Sequence, residues 1–242
     1  MTSPLPGGNS SIGAATNTWP STIWELVRRS HEGPAAQRKR ALDDLFRQYY
    51  TPVHRFFQKA LRVGERDLED LTQDFFARFV EKDFLKNLQH EGSFRGFLKV
   101  ACRRHFINWL DARNAAKRGG DRAVPLEDSG IAVPEDKFDG LIDDELRAWY
   151  LEEAVERTKQ ELTAQGKEAY YKVFEARAGL RNGEAADYKS LAKEFGISVY
   201  DVSNHLLSAR KVFRQALVQL AEERSPHPTE ELRELGLLKY LT

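Results

Sequence analysis

Apolar residues recur at helical spacing through almost all of this chain, and no stretch alternates as a half-buried strand would. The pattern runs from Ile23 to Arg118 and returns from about Leu146 to Glu223. It predicts an all-α fold. Trp24, Val27 and Arg28 predict a short first helix, and Leu42, Leu45, Phe46 and Tyr49 a second. Pro52 is read as opening a further segment with Val53, Phe56, Phe57 and Leu61, closed by Gly64 as a C′ glycine would close it. Helices over Asp67–Glu81 and Ser93–Arg113 follow, the latter the longest.

Composition narrows the function classes. Apolar residues are 41% of 242, enough for a real core, and the formal net charge is zero. A nucleic-acid surface must therefore come from charge segregated along the chain. The single cysteine, Cys102, excludes an internal disulfide and a cysteine-based zinc site. No basic segment followed by an apolar one opens the chain, and no apolar run is long enough to span a bilayer. The expected location is the cytoplasm, without membrane insertion.

Residues 1–17 are rich in Gly, Ser, Asn, Thr and Pro and are expected to be disordered. The stretch KRGGDRAVPLEDSGIAVPEDKFDG, residues 117–140, is punctuated by Gly and Pro. From Leu126 to Glu145 there are eight acids against one lysine. The expected organisation is one helical domain over 18–118, a flexible acidic linker over 119–148, a second helical domain over 149–224 and a tail over 225–242. One last small helix is expected in that tail.

YKSLAKEFGISVYDVSNHLLSARK, residues 188–211, has the shape of a helix-turn-helix. Ala192 is small where two helices must approach. Gly196 stands at the tight turn, Ile197 is an apolar plug, and Ser198 is a good N-cap. Val202 and Leu206 face inward. That leaves Ser198, Tyr200, Asp201, Ser203, Asn204, His205 and Ser208 for a DNA major groove, with Arg210, Lys211 and Arg214 for phosphates. A helical hairpin that merely folds is the plainer reading of the same pattern.

Two helices in the first half carry opposite charge. In one, Leu68, Leu71, Phe75 and Phe79 form an apolar stripe beside the acidic stripe Asp67, Asp70, Asp74, near Gln73. An ordinary amphipathic helix would look like this, and so would a docking face for a basic partner, with Phe76 left partly outside the core. The second helix is basic: between Phe94 and Arg122 there are eight Lys or Arg and two acids. Leu98, Ala101, Cys102, His105 and Trp109 face inward, while Lys99, Arg103 and Arg104 point away. Basic residues beside Phe94, Phe97, Phe106 and Trp109 suit a nucleic-acid backbone and unstacked bases; core packing is the alternative for each aromatic.

DLEDLTQDFFARFVEK followed by GSFRGFLKVACRRHFINWLDARNAAKRGG resembles region 2 of bacterial sigma factors of the extracytoplasmic-function type. The second half resembles their region 4. The likeness covers residues 40–118 and 150–222 in order, and the segments DLTQDFFARFVEKDF and KRGG resemble a branch common in planctomycete-like bacteria. It implies a transcription initiation factor. Asp67, Asp70, Leu71, Gln73, Asp74 and Phe76 would dock on core RNA polymerase. The helix from Phe94 would engage the minus-10 promoter element through Lys99, Arg103, Arg104, Asn108, Arg113 and Lys117. A melted base would be caught by the loop near Lys86–Ser93, and the helix from Val199 would read the minus-35 duplex. The linker would thread the polymerase where RNA later runs. An inhibitory anti-sigma-type protein is an implied partner, set between the two domains. Asp201 stands where the family often has Thr, so it is expected either to lose a phosphate-side contact or to pair with a cytosine amino group.

No HExxH, Walker loop, GxSxG or GxGxxG is present, and the six His lack ligand spacing, so neither enzyme, cofactor nor metal is expected. Asp143, Asp144 and Glu145 are read as part of a solvated linker. Two alternatives stay open at this point: a stand-alone helix-turn-helix regulator, and a sigma-like protein kept only for its interactions.

Overall fold

The computed structural model describes residues 34–61, 63–81, 94–118, 137–181, 183–225 and 227–241. Among them the named elements are all helices. The order is α1 (Ala35–Ala60), α2 (Glu65–Glu81), α3 (Phe94–Arg118), α4 (Phe138–Ala164), α5 (Glu168–Arg177), α6 (Tyr188–Phe195), α7 (Val199–Arg224), α8 (Pro228–Glu234) and a short 3-10 turn at Leu238–Tyr240. The all-α expectation is met. Residues 1–33, with the expected first helix, and the loop at 86–93 lie outside the described residues.

Pro52 does not start a helix: α1 runs through it without interruption. The missing N–H forfeits one helical bond. Burial of Tyr49, Pro52, Val53, Phe56 and Phe57 on one face offsets it, at about 1.5–3 kcal/mol for each large side chain. Gly64 does not end this helix either. Leu61 caps it, and the Gly64 carbonyl instead accepts the Leu68 amide at the start of α2.

The two halves of the chain share a helix. α4 begins at Phe138, inside the segment expected to be linker, and its first three turns are packed. Phe138, Ile142 and Leu146 are four apart and buried. Phe138 sits edge-on to Phe56 of α1, with centroids 5.9 Å apart, and to Phe106 of α3 at 4.6 Å. Edge-to-face pairs of this kind add about 0.5–1.5 kcal/mol each beyond their burial. The acid-rich composition hid this apolar stripe. Further along, α4 packs against α5 and α7. Its Arg55–Glu152 bond ties it to α1, and its Arg157–Glu223 bond ties it to α7.

The C-terminal segment belongs to the core. Its expected small helix is α8, and Leu232, Leu235 and Leu237 are buried. Arg147 of α4 donates from Nε to the Leu235 carbonyl at 2.6 Å. Arg95 of α3, 8% exposed, pairs with Glu231 and Glu234 of α8. α8 thus joins the start of α3 to the middle of α4.

Candidate nucleic-acid interface

The helix-turn-helix forms as its local chemistry dictates. Asp187 caps α6, accepting from the amides of Lys189 and Ser190. Gly196 ends α6 at φ +66°, a left-handed conformation that costs little only without a Cβ. Ser198 opens α7 with a full capping box: its hydroxyl accepts from the Asp201 amide at 3.0 Å, and Asp201 accepts from the Ser198 amide at 3.2 Å. Ile197 packs partly buried at the turn, and Val202 and Leu206 are buried.

This geometry sorts the residues expected to read DNA. Ser198 and Asp201 spend their side chains on each other, with the Ser198 hydroxyl 2.6 Å from the Asp201 carboxylate. That hydroxyl, with the Ser198 amide, holds the Asp201 carboxyl below its ordinary range. His205 stacks on Tyr170 of α5, ring centroids 3.9 Å apart, and Ser208 is half-buried. Tyr200, Ser203, Asn204, Arg210 and Lys211 are exposed; Arg214 is half-buried. Leu207, absent from that expected set, is 65% exposed. Counting three, four and seven residues on from Tyr200 reaches Ser203, Asn204 and Leu207, so helical periodicity alone would have found it.

On α3 the inward stripe is as expected: Leu98, Ala101, Cys102, His105 and Phe106 are buried, and Trp109 is half-buried. Burial pushes the Cys102 thiol well up, so it stays protonated. Besides Arg95, three cations on this helix already have carboxylate partners. Lys99 donates to Asp143 at 2.6 Å, Arg103 to Asp139 at 2.9 Å, and Arg113 pairs with Asp67 at 3.0 Å while lying over the Trp109 ring. Arg104 and Asn108 are exposed. Lys117 lies within α3, its side chain outside the described residues.

The acids on α4 are therefore not a solvated run. Asp143 bridges Lys99 and Arg95, and Asp144 pairs with Arg147 at 2.8 Å. Glu145 is 2% exposed and pairs with Lys59. Among the described residues no three His, Cys, Asp or Glu side chains form a group able to hold a metal ion. No helix among them is long and apolar enough to cross a membrane.

On α2, Leu68, Leu71 and Phe75 form the buried stripe. Phe76, expected partly outside the core, is 6% exposed. It packs edge-on to Phe46 at 4.9 Å and lies against Tyr50 at 6.0 Å, both from α1. Leu71 and Phe76 thus support the outer face, where Asp70 and Gln73 are exposed. Asp67 and Asp74 are half-exposed and engaged, Asp74 with Arg78 at 2.8 Å. His105 sits beneath, its Nε2 3.2 Å from the Leu71 carbonyl, which fixes the proton on Nε2.

One chain therefore presents an exposed acidic face on α2, a basic helix α3 and an exposed face on α7 that carries Tyr200, Ser203, Asn204 and Leu207. A family model described as ECF sigma factor matches residues 20–219. No curated protein matches the chain. The matched segment takes in α1 to α6 and most of α7, and leaves α8 outside it. The chain belongs to the ECF sigma factor family, non-enzymatic transcription initiation factors that bind core RNA polymerase and promoter DNA.

Proposed function

We propose that this sigma factor docks on core polymerase through the outer face of α2, with Asp70 and Gln73 in contact and Asp67 and Asp74 at the edge. Leu71 and Phe76 hold that face in place from the core side. The minus-10 element is engaged along α3, by Lys99, Arg103, Arg104, Asn108, Arg113 and Lys117, and the minus-35 duplex is read by α7. The functional division then follows 18–118 and 149–224, with α4 shared between them. Melting of the minus-10 region uses bases captured after unstacking. Phosphates compete for Lys99, Arg103 and Arg113 with Asp143, Asp139 and Asp67, so engagement exchanges internal ion pairs for DNA ones. The observation that carries this reading is the exposure of Asp70 and Gln73 on a helix otherwise anchored in the core.

The test is co-purification with core RNA polymerase. The wild-type chain is expected to co-elute with it, and Asp70→Arg to elute alone while binding duplex DNA as before. Retention of Asp70→Arg on the polymerase would refute this face. An inhibitory anti-sigma-type protein completes the proposal, supported by the family resemblance and by the two halves it would have to part. If the chain were fully active in its host and no stable protein co-purified, that part would fail.

A further inference from the structure

The exposed face of α7 is apolar at both ends. Tyr200 is 74% exposed and Leu207 65%, with Ser203 and Asn204 between them. A side chain so exposed contributes little to the fold, and a leucine contributes no hydrogen bond to DNA. What it can offer a major groove is contact with the C5-methyl group of thymine, the one apolar feature that groove displays. The neighbouring polar groups are depleted: Ser198 and Asp201 are paired in the capping box, and His205 is stacked on Tyr170. Asn204, exposed one turn earlier, has the amide that pairs with adenine.

We propose that Leu207 is a specificity-determining residue of the minus-35 reading helix, recognising a thymine methyl beside an adenine read by Asn204. This rests on the α7 reading above. The spacing fits. Three residues of helix rise about 4.5 Å, against about 3.4 Å between bases on one strand. Adenine and thymine contacts thus fall on adjacent or next-but-one base pairs. Asp201, bound to Ser198, contributes no cytosine contact. The element is then specified by A·T pairs under Asn204 and Leu207, with Arg210 and Lys211 positioned for phosphates beyond them.

Leu207 also forms one lip of an apolar groove of about 480 Å³ lined by Leu151, Phe174, Phe213 and Tyr240. The test separates a groove contact from a DNA contact. Holoenzyme assembled from core polymerase and the full chain selects duplexes from a random pool. Each thymine of the selected duplex is then replaced by deoxyuridine, which removes only the methyl. Loss of one methyl contact is expected to weaken wild-type binding about fourfold at one or two neighbouring positions. Leu207→Ala is expected to bind the thymine and deoxyuridine duplexes equally, with an unchanged melting temperature. A selected duplex insensitive to every replacement overturns the assignment and leaves the α7 reading intact. So does a Leu207→Ala variant that keeps the wild-type methyl sensitivity, including one that has lost affinity for polymerase. A pool yielding no enriched duplex overturns both.

Discussion

Oδ2 of Asp143 lies 2.6 Å from the Lys99 ammonium, so the basic helix α3 is partly neutralised from within its own chain. Arg103 is held in the same way by Asp139, at 2.9 Å. The double variant Asp139→Asn, Asp143→Asn is expected to bind non-specific duplex more tightly. Two freed cations should steepen the dependence of log affinity on log salt by about 2, at about 0.9 per phosphate. Titration at several salt concentrations checks this. An unchanged slope would mean that these cations never reach phosphate.

The capping box makes a separate prediction. Ser198→Ala removes the acceptor for the Asp201 amide and is expected to cost about 1 kcal/mol of stability, read by urea denaturation. Asp201→Ala is expected to destabilise in the same direction while leaving the selected minus-35 sequence unchanged. A changed base preference in Asp201→Ala would restore it as a reading residue.

The C-terminal segment is expected to be structural. Leu235 is fully buried, and its carbonyl takes the Arg147 guanidinium. Leu235→Ala should cost about 2–5 kcal/mol, whereas Lys239→Ala, at the surface turn, should cost far less. Equal melting temperatures for Leu235→Ala and wild type would contradict the packing of α8.

Acid should loosen the contact between α2 and α3. Burial lowers the His105 pKa from 6.5, only partly opposed by the Leu71 carbonyl and Asp74, with Arg78 adding to the lowering. Below about that ordinary value the unfolded chain binds a proton that the folded chain does not. Stability is therefore expected to fall as pH drops through 6.5 toward the folded-state value. Glu231 works in the opposite sense at lower pH, because burial raises its pKa from 4.5. Urea midpoints at pH 7.5 and 5.5 isolate the histidine when compared with His105→Gln. A pH response unchanged in that variant would refute the assignment.

What was legible in the sequence follows the range of the interactions. Gly196, Ser198, Val202 and Leu206 act within a few residues of each other, and the helix-turn-helix could be read directly. Phe76 could not, because Phe46 and Tyr50, which cover it, belong to another helix. The acids of α4 looked like a solvated linker because Lys99, the partner of Asp143, lies 44 residues away. Pro52 and Gly64 do not act as boundaries of α1 for the same reason: helical propensity punctuates a chain only where packing does not override it.

The central claim is that this chain directs core polymerase to promoters through α2 and α7 together. Run-off transcription with core polymerase on a pool of host promoter fragments tests it. The expected result is a set of discrete transcripts that require the chain and disappear with Asp70→Arg, although that variant still binds duplex. Duplex binding with no chain-dependent transcript would contradict it and point to a stand-alone regulator.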